Sequence, residues 1–201
     1  MSRPRTIVAA LVLWAIPALA ATTGDAADGP MALTHRVLEQ SNTIVRGSDD
    51  RTQKLRALSE LLRGFLDTDA LARLAAEKHL ANRSEDEVRE FLALFHEFFV
   101  RTYVQRLLLF DAPGFTYGAE TVQGDTATVA TEVVTPGDRF AVDYTLHKTA
   151  AGWRATDIQV EGVSLAKNFR SQFDAAVAKD SFQGLLDRLR AKVGPTKADA
   201  S

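Results

Sequence analysis

The strongest constraint on this chain is a change of hydrophobic period near residue 113. Before it, apolar residues recur at three- and four-residue steps. Leu55, Leu58, Leu61, Leu62 and Phe65 mark one helical face, and Val88, Phe91, Leu92, Phe95, Phe98, Phe99, Thr102 and Tyr103 mark another. After Pro113-Gly114 the period becomes two: Phe140, Val142, Tyr144 and Leu146 alternate on one face, and Ile158 and Val160 are in phase on the next segment. A run of helices followed by a run of strands points to an α+β fold rather than an alternating α/β one.

The punctuation divides the chain further. Helices are predicted over 31–46, over the stretch after Gly47-Ser48-Asp49-Asp50, and over a third stretch carrying Leu71, Leu74 and Leu80 that Asp67 or Asp69 would cap. Ser84-Glu85-Asp86-Glu87 has the form of a capping box and opens the longest helix, 85–109, with an acidic first turn that suits the helix dipole. Four strands are predicted over 115–121, 126–135, 139–148 and 153–161. The turns are Gly124-Asp125 and Thr135-Pro136-Gly137-Asp138, and the short links favour an antiparallel meander. Gly162 is read as the end of the sheet, with helices resuming over 164–179 and 181–193. The domain is thus 31–193, with a loose tail over 21–30 and a polar tail over 194–201.

Residues 1–20 read as an address. Arg3 and Arg5 make a basic start, residues 7–19 are an apolar run broken only by Pro17, and Ala18-Leu19-Ala20 offers small residues to a signal peptidase. A membrane span needs about 20 apolar residues, so the run fits a cleaved signal better than an anchor. Pro4 between the arginines excludes a twin-arginine signal. The chain is expected to be exported and periplasmic, and losing Arg3 and Arg5 makes its net charge of −2 more negative. Such a balance disfavours broad binding to nucleic-acid backbones. The absence of cysteine excludes disulfides, thiolate metal sites, a cysteine nucleophile and a lipidated N-terminal cysteine.

Chemistry is sparse. His35, His79, His96 and His147 show no metal-ligand spacing, and His96-Glu97 fails as a zincin motif because Val100 stands where the second histidine belongs. No Gly-x-Ser-x-Gly is present, and the twelve glycines are scattered at turns. One carboxylate pair stands out. With Lys148 facing Gly152 across the third hairpin, Val142 meets Ile158, Phe140 meets Val160, and Asp143 meets Asp157 on the other face. Facing carboxylates suit an acid–base pair in a small hydrolase; a shared basic neighbour such as Arg170 would make them structural. The aromatic stripe Phe91, Phe95, Phe98, Phe99, Tyr103 and Phe110 either fills a core or lines a cavity.

Three segments together carry a resemblance. They are Phe65-Leu66-Asp67 with Ala72-Arg73-Leu74; Phe91-x-x-Leu94-Phe95 with Arg101-Thr102-Tyr103; and Val142-Asp143-Tyr144-x-Leu146 through Trp153-x-x-x-Asp157. The last runs on into Val160-Glu161-Gly162-Val163-Ser164-Leu165 and Asn168-Phe169-Arg170-Ser171-Gln172-Phe173. This pattern resembles the MlaC, or toluene-tolerance, family of periplasmic phospholipid-binding proteins that serve an ABC transporter. One departure is Ala75-Ala76-Glu77-Lys78-His79-Leu80, where many relatives carry a Gly and a Trp. A hopanoid-linked branch of the same architecture differs from Gly162-Val163-Ser164-Leu165, which favours the phospholipid branch.

The resemblance implies a four-stranded twisted antiparallel sheet wrapped by helices, with a deep apolar pocket between them. It implies no catalytic residue, no metal and no cofactor, with phospholipid as cargo. The partners implied are an outer-membrane lipoprotein (MlaA-like) and an inner-membrane ABC complex (MlaD-like subunit), in maintenance of outer-membrane lipid asymmetry. Phase and position then nominate the pocket lining. Phe95, Phe99 and Tyr103 share a helix face; Val142, Tyr144, Ile158 and Val160 share a sheet face; Val163 and Phe169 follow where the chain turns back over that sheet.

Overall fold

Side-chain caps at Asp50, Asp67, Ser84 and Ser164 set where four of the helices begin. In the computed structural model, which describes residues 29–109 and 113–194, the chain runs through α1 (Pro30–Arg46), α2 (Arg51–Phe65), α3 (Thr68–Leu80) and α4 (Glu85–Leu107). Then come β1 (Gly114–Gln123), β2 (Thr126–Val134), β3 (Arg139–Thr149), β4 (Gly152–Val160), β5 (Val163–Ser164) and α5 (Leu165–Val193). Asp50 and Ser84 each make the reciprocal capping box, with Gln53 and Glu87. Asp67, rather than Asp69, caps α3, accepting from the Ala70 N–H at 2.9 Å. The proposed signal segment, Phe110 and the tail from 195 onward lie outside the described residues. Pro30 is the first residue of α1, so the helix starts one residue earlier than the predicted tail allows; proline at that position has no N–H to waste.

The sheet has five strands, not four, in the order β1-β2-β3-β4-β5, all antiparallel. Gly162 does not end it. Glu161 (φ 51°) and Gly162 (φ 75°) make a tight turn that sends Val163–Ser164 back along β4, pairing Val160 with Val163 and Gln159 with Ser164. The Glu161 N–H donates to the Ala141 carbonyl at 2.9 Å and its carboxylate accepts from the Ala141 N–H at 2.5 Å, tying the turn to β3.

The register of the third hairpin also differs from the expected one. Thr149 pairs with Gly152, and a bulge in β4 at Thr156 follows, so Val142 faces Val160, Tyr144 faces Ile158, Asp143 faces Gln159 and Thr145 faces Asp157. The tighter turn and the bulge each move the pairing by one residue. Together they restore the parity of the faces, so the buried side is kept while every pairing changes.

Helices α4 and α5 meet through an aromatic cluster. Phe95 packs edge-on to Phe169 and Phe173 at 5.1 and 5.9 Å, and Phe91 lies 5.5 Å from Phe173 and 5.9 Å from Phe182. α5 is bent at Ser181 (φ 69°, ψ 176°), the break predicted between 179 and 181, and this folds Phe182 back onto Phe91. α3 lies against α5 through the buried Ala72, Ala75 and Ala76. Its end is fastened by Lys78 and His79, both 2.7 Å from Asp174. Among the described residues, no helix is long and apolar enough to cross a membrane.

Candidate functional site

The site begins with how α1 is hung on the sheet. Its first turn is anchored by Glu120, which accepts from the Met31 N–H at 2.5 Å. Tyr117 donates to Glu39 at 3.1 Å and lies 4.5 Å from the His35 ring, and Asn42 donates to the Pro113 carbonyl at 2.7 Å. Burial and the Glu39 carboxylate push the Tyr117 phenol up to about 12, so it stays a donor at neutral pH. These contacts hold α1 along β1, while α4 descends on the opposite side. The gap they leave is not filled.

A cavity of about 330 Å³ occupies it. Leu38, Ser41, Asn42 and Val45 of α1 form one wall; Tyr103, Arg106 and Leu107 of α4 form another; Pro113 and the strand residues Phe115, Val133, Phe140, Tyr144 and Val160 make the floor. A smaller cavity of about 120 Å³ adjoins it, walled by Val37, Leu62, Phe65, Leu66, Phe99 and Ile158. Both share Leu38, Ser41, Tyr103, Leu107 and Tyr144, so the two form a fork with those side chains at its crotch.

The structure distributes the nominated lining residues unevenly. Tyr103, Tyr144 and Val160 line the larger arm, and Tyr103, Tyr144, Phe99 and Ile158 the smaller. Phe95 is fully buried, lines neither arm and packs against Phe169 of α5. Phe169 sits in the same aromatic cluster and lines a separate groove between α4 and the two halves of α5. Val142 is buried in the core and lines neither arm. Val163, at 59% exposure, points to solvent beside the turn. The contributions of α1, α2 and β1 were not anticipated. Their sequence signal was the α1 face Leu38, Ser41, Asn42 and Val45, where small polar residues interrupt an apolar stripe.

The walls offer little to a reaction. Ser41 donates to the Leu38 carbonyl at 2.7 Å, within its own helix, and among the described residues no carboxylate or histidine lines either arm. Burial pushes up the phenols of Tyr103 and Tyr144, with Arg106 opposing the shift at Tyr103, so both rings are neutral. Asp143 and Asp157 do not face each other, because the tighter turn and the bulge together set Asp143 against Gln159 and Asp157 against Thr145. Asp157 instead accepts from Ser164 Oγ at 2.5 Å and from the Ala166 N–H at 3.0 Å, bracing the start of α5. Arg170 is not their neighbour either; it donates to the Leu74 carbonyl and pairs with Glu77. Among the described residues, no group of three or more His, Cys, Asp and Glu is placed to hold a metal.

Comparison with known proteins follows the same lines. The family model described as MlaC protein matches residues 33–191. A curated relative, the toluene tolerance protein ttg2D of Pseudomonas putida, is 25% identical over 127 residues, which is 62% of this chain. The match spans 59% of that relative's length. Among solved structures, a phospholipid-binding protein from Ralstonia solanacearum in complex with a phospholipid superposes with a TM-score of 0.74. It covers 83% of this chain and 97% of that one at 19% identity, a likeness of fold.

Proposed function

The chain belongs to the MlaC family, and from that premise we propose that it is a phospholipid carrier whose forked cavity takes the acyl chains. The observation that supports this most directly is the cavity wall, built among the described residues mostly of apolar and aromatic side chains with a single charged one. A polar metabolite would leave its donors and acceptors unpaired there. An acyl chain has none to lose. The Ralstonia protein of the same fold holds a phospholipid, which agrees with this reading.

Transfer energies explain why such a protein needs no catalytic group. A diacyl lipid has about 30 methylenes at ~0.8 kcal/mol each, so desorption into water is opposed by roughly 25 kcal/mol. Passing from bilayer to a dry pocket exchanges one apolar medium for another and brings the transfer near balance. Modest differences supplied by docking partners then decide loading and release. In this reading the carrier works in the periplasm, with residues 1–20 as its export signal. There it would run between an MlaA-like outer-membrane lipoprotein and an MlaD-like subunit of an inner-membrane ABC complex, serving outer-membrane lipid asymmetry. A net negative charge keeps a shuttle from adhering to anionic membrane surfaces.

Native mass spectrometry of the purified protein, followed by organic extraction, tests the reading. Co-purified or vesicle-loaded phospholipid is the expected result. A stoichiometrically empty protein that no phospholipid vesicle can load would overturn it.

A further inference from the structure

Among the described residues, one charged side chain stands in the wall of the fork. Arg106 is in the last turn of α4, exposed to solvent, and also lines the larger arm. Its guanidinium lies over the Tyr103 ring, 5.4 Å from the centroid, which lays the side chain along the rim. Among the described residues it makes no hydrogen bond and no ion pair. Arg63, Arg139, Arg170, Arg188 and Arg190, by contrast, are each matched to a carboxylate. Arg51, Arg56 and Arg73 also lack a partner there, but none of them lines a described cavity. Of the neutral polar wall residues, Ser41 donates to the Leu38 carbonyl and Asn42 gives an amide N–H to the Pro113 carbonyl.

We propose that Arg106 is the phosphate-binding residue of the cavity, holding the phosphodiester of a lipid whose chains lie in the fork. This rests on the carrier reading given above. The guanidinium offers five N–H donors in a planar fork that matches phosphate oxygens in pairs. Among the described residues, no carboxylate lines either arm beside it. A cation in a last helical turn also complements the helix dipole. That accounts for its charge but not for its place on the cavity wall. Because phosphatidylethanolamine and phosphatidylglycerol share the phosphodiester, Arg106 would select for that group and leave the alcohol beyond it unread. The cargo class is then diacyl lipids with a phosphate, zwitterionic or anionic alike, in preference to diacylglycerol.

The test loads the purified protein from mixed vesicles of phosphatidylethanolamine, phosphatidylglycerol and diacylglycerol of matched chains, then extracts and quantifies what is bound. Wild type should favour both phospholipids over diacylglycerol. In Arg106→Gln that preference should fall about tenfold, with diacylglycerol uptake unchanged, while Arg106→Lys keeps part of it. Circular dichroism melts confirm that the exposed substitutions leave the fold intact. Equal selectivity in wild type and Arg106→Gln overturns the assignment while leaving the carrier reading standing. A wild type that loads none of the three lipids overturns both. A separate arm adds inorganic phosphate to lipid-free protein. If phosphate alone raises the Tm of wild type but not of Arg106→Gln, and lipid selectivity is the same in both, the ligand is free phosphate and the lipid assignment fails.

Discussion

Asp157 and Ser164 face each other across the turn between β4 and β5, and Ser164 Oγ donates a 2.5 Å hydrogen bond to the Asp157 carboxylate. The other carboxylate oxygen accepts from the Ile158 and Ala166 N–H groups, while Ser164 Oγ accepts from the Lys167 N–H at 3.1 Å. One side chain thus satisfies donors on a strand and on the first turn of α5. Asp157→Ala should lower stability by about 1–2 kcal/mol, the worth of a cap and its hydrogen bonds. Asp143→Asn should fall within about 0.5 kcal/mol. Urea titration followed by circular dichroism measures both. Lipid uptake by the folded protein should survive either change, and its complete loss in a stable Asp143→Asn protein would revive an acid–base role.

Ser181 sits at φ 69° and ψ 176°, a region that glycine alone occupies freely. Its side chain gives little in return, since its Oγ is 3.5 Å from the Gly184 N–H. Ser181→Gly should therefore raise stability by about 1 kcal/mol. A loss of stability in the same titration would mean that the bend is held by that serine.

Core and cavity wall can be separated by two substitutions. Phe95 is fully buried among Phe91, Phe99, Phe169 and Phe173, so Phe95→Ala should cost about 3–5 kcal/mol. Val160 lines the larger arm yet is 38% exposed. Val160→Asp keeps its carboxylate partly hydrated and should change stability by less than about 1 kcal/mol, while placing a charge beside the acyl chains. Extraction should find much less lipid in it. Unchanged lipid in a stable Val160→Asp protein would remove Val160 from the site.

His96 provides a pH handle. Burial holds its pKa below the ordinary 6.5, with Arg63 acting in the same direction, and its Nδ1 lies 2.6 Å from Thr68 Oγ1. The unfolded chain therefore takes up a proton at a higher pH than the folded one does. Stability should fall as pH drops below about 6.5 and level off once the folded protein's own, lower pKa is passed. His96→Gln should flatten that part of a Tm-against-pH curve. Asp174 acts in a separate, lower window: hydrogen bonds from Lys78 and His79 hold it below the ordinary 3.8, so the stability it contributes is lost only in more acid solution.

How much of this was legible in the sequence differs by scale. The caps at Asp50, Ser84 and Asp67, the period change at 113 and the break near 180 are local, and local side chains decide them. The register of the third hairpin is not local. Its bulge had left a trace, because Trp153 and Ala155 fall on odd numbers whereas Ile158 and Val160 fall on even ones. Yet a one-residue insertion shows only when both phases are compared. The fifth strand was hidden because two residues cannot display a period. The cavity was the least legible. Phe95, Phe99 and Tyr103 share one helix stripe, but Phe99 and Tyr103 line the fork with residues of α1 and the sheet, whereas Phe95 lines neither arm and packs on Phe169 and Phe173 of α5. Periodicity identifies a face; what stands opposite it is set by the tertiary fold.

The way α1 is fastened has a consequence for how the chain is assembled. Its anchors lie far downstream: Asn42 bonds to Pro113, 71 residues on, and Met31 to Glu120, 89 residues on. The helices between them form from neighbours in sequence, whereas these contacts must wait for a long loop to close. A chain that grows from its first residue therefore displays Val37 and Leu38 before any strand exists to receive them. The fork begins to close when β1 arrives and is completed only with β4, which supplies Ile158 and Val160; a chain interrupted near residue 113 is a set of helices with an open seam, a natural substrate for holding chaperones.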